Sequence, residues 1–138
     1  MSVARFRPSH VAFVAVVACL LGVALDRTAF AQQSGITRTV LGRIDVPQGP
    51  QYEGVMAIAE IAAGASSGKH RHPGVELAYV LEGSMTVEHS DGTSKTYKAG
   101  DSFQHSDVHN AKNTSKVPVK ILAVYIVEKG KLMAEPVP

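Results

Sequence analysis

The sequence predicts an all-β fold, in which one small antiparallel barrel or sandwich forms the whole domain. No stretch after residue 31 shows the sustained periodicity of an amphipathic helix. Turn-forming residues recur roughly every eight to twelve residues. Between these turns, apolar and polar residues alternate, which is typical of strands that bury one face against a core.

Residues 1–31 have the layout of a secretory signal peptide, which we expect to be helical. Arg5 and Arg7 precede an apolar run at residues 11–25, and a small-x-small cleavage site ends at Ala31. We therefore predict cleavage after Ala31 and a periplasmic or secreted protein.

The sequence allows two alternatives to ordinary cleavage. A retained membrane anchor is disfavoured because the apolar run is shorter than the roughly 20 residues that a spanning helix needs. Lipoprotein processing at Cys19 rests on a loose lipobox at residues 16–19. It is disfavoured because it would leave the apolar residues 20–25 on the mature protein.

Cleavage changes the composition of the remaining chain. The 14 basic and 12 acidic residues of the whole chain fall to 11 and 11 once Arg5, Arg7, Arg27 and Asp26 are removed. The balanced charge gives no reason to expect a nucleic-acid partner or, after cleavage, a membrane surface. Cys19, the single cysteine, is also removed, which excludes disulfides and a thiol nucleophile in the mature protein.

The predicted strands follow one another from residue 32 onward. Residues 32–51 are polar and rich in glycine and proline, with one short apolar piece around Val40-Leu41. We expect a flexible N-terminal arm that then forms an edge strand or lies over the barrel or a neighbouring subunit. Residues 52–127 form the barrel, and its first buried strand ends at Ala63-Gly64. Further strands are predicted at residues 76–82, 85–89, 93–97, 102–104, 108–111 and 117–127. The polar tail at residues 128–138 has no chemistry that we can assign.

A group of metal-ligand side chains lies in the middle of the chain. His70 and His72 are two residues apart, so on a strand they point to the same face. Pro73-Gly74 lets the chain bend, so that Glu76 can return toward the same point. His109 offers a third imidazole from a distant strand. Imidazole and carboxylate suit one divalent transition metal ion, whether Fe, Mn, Cu, Ni or Zn.

Two segments of the chain resemble the motifs of the cupin superfamily, as small single-domain (type-2) members carry them. The first comprises Gly64, His70, His72, Glu76 and Gly83, and the second comprises Gly100, His109 and Asn113. Lys98 stands where the second motif usually has proline. The resemblance implies a double-stranded β-helix, a small jelly-roll-like barrel. It also identifies four protein ligands of a metal, namely His70, His72, Glu76 and His109.

Four such ligands leave two positions of an octahedral ion open, as in a catalytic site. We expect an exported metal-dependent oxidoreductase, dioxygenase-like, that acts on a small oxygen-chelating organic molecule. The alternatives are a non-catalytic periplasmic ligand-binding or stress-related cupin and a cupin isomerase. The expected partners are a small molecule and, for a homodimer, a second copy of the chain. A proton-transfer group in the pocket would favour an enzyme, and the candidates are His105 and Glu82.

The remaining candidates have structural explanations. We expect His105 to be exposed rather than in the pocket, and His89 to be solvated on a turn. Aromatic burial accounts for Tyr79, Phe103 and Tyr125 as core or pocket wall, and apolar packing accounts for Met56 and Met85. Asn113 is expected to hold a backbone turn through its amide.

Overall fold

The computed structural model describes residues 35–138, so the predicted signal peptide and the start of the arm lie outside the described residues. Between residues 35 and 138 there are ten strands and no helix that could span a membrane. The strands are β1 (Ile36–Asp45), β2 (Tyr52–Ile61), β3 (His70–Arg71), β4 (Gly74–Glu82), β5 (Ser84–His89), β6 (Ser94–Lys98), β7 (Ser102–His105), β8 (His109–Lys112), β9 (Val119–Glu128) and β10 (Glu135–Pro136).

The strands form two five-stranded antiparallel sheets. The first has the order β1-β2-β9-β4-β7, and the second has the order β10-β3-β8-β5-β6. Only the β1–β2 and β5–β6 connections stay within one sheet, and every other connection crosses from one sheet to the other. The expected all-β barrel is therefore confirmed, with the edge strand β1 in the region where one was expected.

The core lies between the two sheets and is filled by alternate residues of each strand. In β9 every second residue from Val119 to Val127 is buried, and the intervening residues are half-buried. β2 places Val55, Ala57, Ala59 and Ile61 on the same core. Each large apolar side chain buried in this way stabilises the fold by about 1.5–3 kcal/mol.

Met56 and Tyr79 were expected in the core or the pocket wall, but both lie on the outer face of the barrel. Each is one residue away from buried neighbours on its strand, so its side chain points to the opposite face. Met56 lies between the buried Val55 and Ala57 and is 45% exposed. Tyr79 lies between Ala78 and Val80 and is 46% exposed. Both side chains point away from the barrel interior, so neither lines the pocket.

Asn113 holds the start of β9 in place, as expected. Its amide Nδ2 donates to the carbonyl oxygens of Ile61, Ala62 and Val117, at 3.0, 3.2 and 2.7 Å. Its Oδ1 accepts a hydrogen bond from the backbone N–H of Ser115. Because the side chain is fully buried, these bonds are needed to satisfy its polar atoms.

Candidate metal centre

The first three predicted ligands lie where the chain crosses from one sheet to the other. His70 belongs to β3 in the second sheet, His72 lies in the crossing, and Glu76 belongs to β4 in the first sheet. Gly74 permits this crossing, because its φ of 155° is rarely adopted by other residues and an added Cβ would lie 1.9 Å from the Ile126 carbonyl oxygen. The close approach of Gly74 to β9 brings Glu76 into the barrel.

His109 comes from β8, where it pairs directly with His70. The ring centroids of His70 and His109 are 4.4 Å apart, and that of His72 lies 5.1 Å from the first and 5.2 Å from the second. One ligand atom from each of the three rings lies within 4.8 Å of the others. The structure thus brings the three histidines together, and it brings Glu76 together with His109 and His105 in an overlapping group. All four predicted ligands are buried.

Backbone carbonyl groups orient all three rings. Nδ1 of His70 lies 3.0 Å from the Gly68 carbonyl oxygen, and Nδ1 of His109 lies 3.0 Å from that of Asp107. Nδ1 of His72 contacts the Met133 carbonyl oxygen. Because a carbonyl oxygen can only accept, each Nδ1 carries the proton and each Nε2 keeps its lone pair.

The lone pairs of the imidazoles face a carboxylate. Glu76 Oε2 lies 3.3 Å from Nε2 of His72 and 3.9 Å from Nε2 of His109. Among residues 35–138, the buried Nε2 of His72 has no hydrogen-bond partner. An unprotonated nitrogen and a carboxylate oxygen at this distance need a cation between them. Ligands about 2.1 Å from one octahedral ion lie about 3 Å apart, so these residues fit a divalent ion.

The electrostatics of the site keep these groups in the protonation states that a metal needs. Burial lowers the pKa of His70 to about 3. The hydrogen bond to Gly68 opposes this shift, and the nearby charges of His109, His72 and Arg38 add to it. Burial also lowers the pKa of His109. Burial alone would raise the pKa of Glu76, but its contact with His72 and the nearby imidazoles lower it to about 2. Neutral imidazoles and an ionised carboxylate are the ligand forms.

A cavity of about 30 Å³ adjoins three of the four residues, His70, Glu76 and His109. Besides apolar side chains, its other lining residues are Arg38, Ser67, His105 and Tyr125. Tyr125 donates a hydrogen bond to Glu76 and accepts one from Arg38. Burial, followed by the Glu76 charge, raises the pKa of Tyr125, so this phenol stays protonated.

The expectation that His105 is exposed is wrong. The residue is 3% exposed, lines the cavity and stacks on His109, with ring centroids 4.0 Å apart. Within the described range 35–138, neither of its ring nitrogens has a hydrogen-bond partner. Burial, followed by the His109 charge, lowers its pKa to about 4. The expected strand ended at residue 104, whereas β7 includes His105, which therefore points inward like Phe103.

His89 and Glu82 are the remaining candidates. His89 is less exposed than expected, and Glu82 lies outside the pocket. His89 is half-buried, and its Nδ1 lies 2.9 Å from Oδ2 of Asp107, so it is not simply solvated. Glu82 is exposed at the end of β4, where it faces Lys120 Nζ at 3.4 Å. Of the two proposed proton-transfer groups, the structure therefore places only His105 in the cavity.

Two features of the site have a weak sequence signal or none. Arg38 lines the cavity from β1, where it lies two residues after the buried Ile36 and so on the same face of the strand, and this spacing is the available signal. The tail also contributes, because β10 pairs with β3 and Met133 is buried beneath it. Its polar, proline-ended sequence carries no strand pattern.

The fold is a small antiparallel β-barrel that buries several histidines and a carboxylate close together. Proteins with this combination form a class whose barrel can hold a metal ion. A family model for the cupin domain matches residues 57–125, half of the chain, and the protein belongs to this family. Cupins commonly bind a metal, and the buried histidine and glutamate groups described above can hold one. No curated protein matches the sequence.

Several solved structures share the fold. A double-stranded β-helix protein from Klebsiella pneumoniae is 19% identical, with a TM-score of 0.61 over 75% of this chain and 87% of that chain. The polyketide cyclase RemF from Streptomyces resistomycificus is 24% identical, with a TM-score of 0.59 over 76% and 72%. The DMSP lyase DddQ from Ruegeria pomeroyi is 18% identical, with a TM-score of 0.58 over 80% and 55%. At these identities the likeness establishes the fold alone.

Proposed function

We propose that the protein is an exported metal-dependent cupin enzyme, in which His70, His72, Glu76 and His109 hold one divalent transition metal ion. The observation that carries this proposal is the shared orientation of the three rings. Each Nδ1 is engaged by a backbone carbonyl, so three Nε2 lone pairs and the Glu76 carboxylate remain for an ion.

The proposed substrate is a small organic molecule that chelates through oxygen and carries negative charge. A bound ion would supply Lewis acidity and two open positions for ligand oxygens. The Arg38 guanidinium at the cavity wall favours an anionic group, and the protonated Tyr125 can donate to it. Because the cavity is only about 30 Å³, the chelating end of the molecule enters and the rest stays at the mouth.

The position of His105 favours an enzyme over a non-catalytic binding protein. A neutral imidazole beside the metal site can accept a proton from a bound ligand or return one. We therefore assign His105 the role of proton transfer in the proposed reaction.

The leading reaction type is dioxygenation, in which both atoms of O2 enter the product. A metal-dependent isomerisation is the second candidate, because it needs proton transfer by a group such as His105 and no oxidant. The two candidates differ in a measurable way, since the first consumes O2 and the second does not.

A metal and substrate screen tests the proposal. Protein loaded separately with Fe, Mn, Cu, Ni and Zn would be incubated with small hydroxy acids, keto acids and diketones, while O2 uptake and product masses are followed. Turnover with a mass gain of one O2 supports the dioxygenase, and turnover without O2 supports the isomerase. The His70→Ala His72→Ala variant, checked for its all-β circular-dichroism spectrum, should be inactive. Activity that is equal in this variant would contradict the proposal.

The proposed location rests on the N-terminal sequence. Mass spectrometry of the protein recovered from its native compartment should find a chain that begins at Gln32. A lipid-modified chain that begins at Cys19 would overturn the proposal of a periplasmic or secreted soluble protein.

A further inference from the structure

A second group of metal-ligating side chains lies beside the first. His89 ends β5, His105 ends β7, and Asp107 lies in the loop between β7 and β8. One ligand atom from each of the three lies within 4.8 Å of the others. We propose that His89, His105 and Asp107 form a second site for a divalent transition metal ion.

The two carboxylate oxygens of Asp107 face the two imidazoles of this group. Asp107 Oδ2 lies 2.9 Å from Nδ1 of His89, and Asp107 Oδ1 lies 3.8 Å from Nδ1 of His105. Two ligand atoms about 2.1 Å from one ion are about 3.0 to 3.4 Å apart at octahedral or tetrahedral angles. The observed separations lie on either side of this range, and the three ligand atoms all lie within 4.8 Å of one another, so small side-chain shifts can bring them onto one ion.

His105 is the member of this group whose buried polar atoms are unsatisfied. Its ring is held between Phe103, at 4.9 Å between centroids, and His109, at 4.0 Å. Among the residues that the structure describes, neither of its nitrogens has a hydrogen-bond partner, although the side chain is buried. A simple hydrogen bond explains the contact between His89 and Asp107 but leaves His105 without a polar partner. An ion on its Nδ1 supplies one. With that ion bound, Nε2 carries the hydrogen, so in the proposed reaction His105 gives up a proton before it takes one back.

The position of the group at the surface allows an ion to reach it. The Asp107 side chain is 41% exposed, and His89 is half-buried. Water can therefore complete the coordination shell beyond the three protein ligands. Two imidazoles and one carboxylate suit Zn²⁺, Cu²⁺ or Ni²⁺ rather than the hard cations Mg²⁺ and Ca²⁺.

Zinc titration of the metal-free full-length protein tests this proposal. We expect two Zn²⁺ per chain by equilibrium dialysis and elemental analysis. The near-isosteric variant His89→Gln Asp107→Asn should keep one ion and weaken the other at least tenfold. The matched control His70→Ala His72→Ala should lose the ion of the first site and keep the ion held by His89, His105 and Asp107. A double variant that binds as many ions as the wild type, with unchanged affinity, would overturn the second site.

A measurement on the wild-type protein makes the test independent of how the variants fold. Imidazole nitrogen signals in NMR spectra, recorded during the same titration, should show direct coordination of His89 and His105. Zinc binding without a change at these two rings overturns the proposal. The imidazole signals of His70 and His72 report on the first site in the same spectra. The measurement therefore distinguishes failure of the first site from failure of the second.

Discussion

Backbone carbonyl groups orient the imidazoles of the candidate metal site. The carbonyls of Gly68, Met133 and Asp107 lie in three different segments, and each engages one Nδ1. The ring orientation therefore depends on the backbone of the crossing, the tail and the loop before β8. The histidine spacing predicts candidate ligands from the sequence, but these acceptors could not be found there, because any residue type supplies a carbonyl.

Substitution of Glu76 tests the charge of the carboxylate. Glu76→Gln keeps an oxygen donor but removes the negative charge, so metal affinity should fall about tenfold or more, which is about 1.4 kcal/mol. The dissociation constant measured by chelator competition checks this. Glu88→Gln is the matched control, because Glu88 is a carboxylate of β5 that pairs with Lys112 outside the cavity. Equal affinity for both variants would show that Glu76 is not a ligand.

Acid should destabilise the protein in two pH ranges. His70 and His105 have folded-state pKa values of about 3 and about 4, below the ordinary value of about 6.5. The unfolded chain binds these protons more readily, so stability is full above about pH 6.5 and declines as pH falls toward these values. Glu76 has a folded-state pKa of about 2, below its ordinary value of about 4.5. Its contribution to stability is therefore lost as the pH falls from about 4.5 toward 2.

Melting temperature against pH, with and without a bound ion, measures this effect. The wild type should lose stability between about pH 6.5 and pH 3. The His70→Ala His105→Ala variant should lose much less over the same range. A decline of equal size in both proteins would assign the acid response to other groups.

The strands were predictable because each strand of a barrel with a buried interior alternates apolar and polar residues. β9 shows this pattern over its full length, and its position agrees closely with the expected strand. The phase of shorter strands was harder to predict. β7 has four residues, so placing its end one residue early moved His105 from the cavity to the surface. β10 was missed because two residues show no periodicity.

Removal of the tail tests its role in the metal site. Deletion of residues 130–138 removes β10 and the Met133 carbonyl that holds His72. Metal affinity should fall about 10- to 100-fold, the usual effect of losing a group that orients a ligand. Arg71→Ala is the control, because it breaks only the exposed ion pair with Glu135, worth less than about 1 kcal/mol. A truncated chain that binds metal as tightly as the full chain would refute this role.

The whole molecule carries an apolar surface on the outer face of the first sheet. Neighbouring strands place Met56 and Leu77 on either side of Val124. Leu77 is 53% exposed, and Val75 and Tyr79 extend the row along β4. An exposed apolar face of this kind is typical of a protein interface. It supports the proposal that the protein forms a homodimer through this sheet.

Light scattering coupled to size-exclusion chromatography tests the dimer. The wild type should have twice the mass of one chain, and Leu77→Glu should shift it to the monomer, because the charge would be buried in the interface. Val117→Glu places the same charge on an exposed apolar residue of a loop and should leave the dimer intact. A monomeric wild type, or a Leu77→Glu variant that remains dimeric, would exclude this interface.

The proposed metal site has four residues that coordinate one ion through three Nε2 atoms and a carboxylate. The most direct measurement is anomalous diffraction from crystals of the protein loaded with Zn²⁺ or Cu²⁺. We expect an anomalous peak about 2.0 to 2.2 Å from Nε2 of His70, His72 and His109 and from a Glu76 carboxylate oxygen. A loaded crystal with no peak among these four side chains, or with coordination through Nδ1, would contradict this proposal.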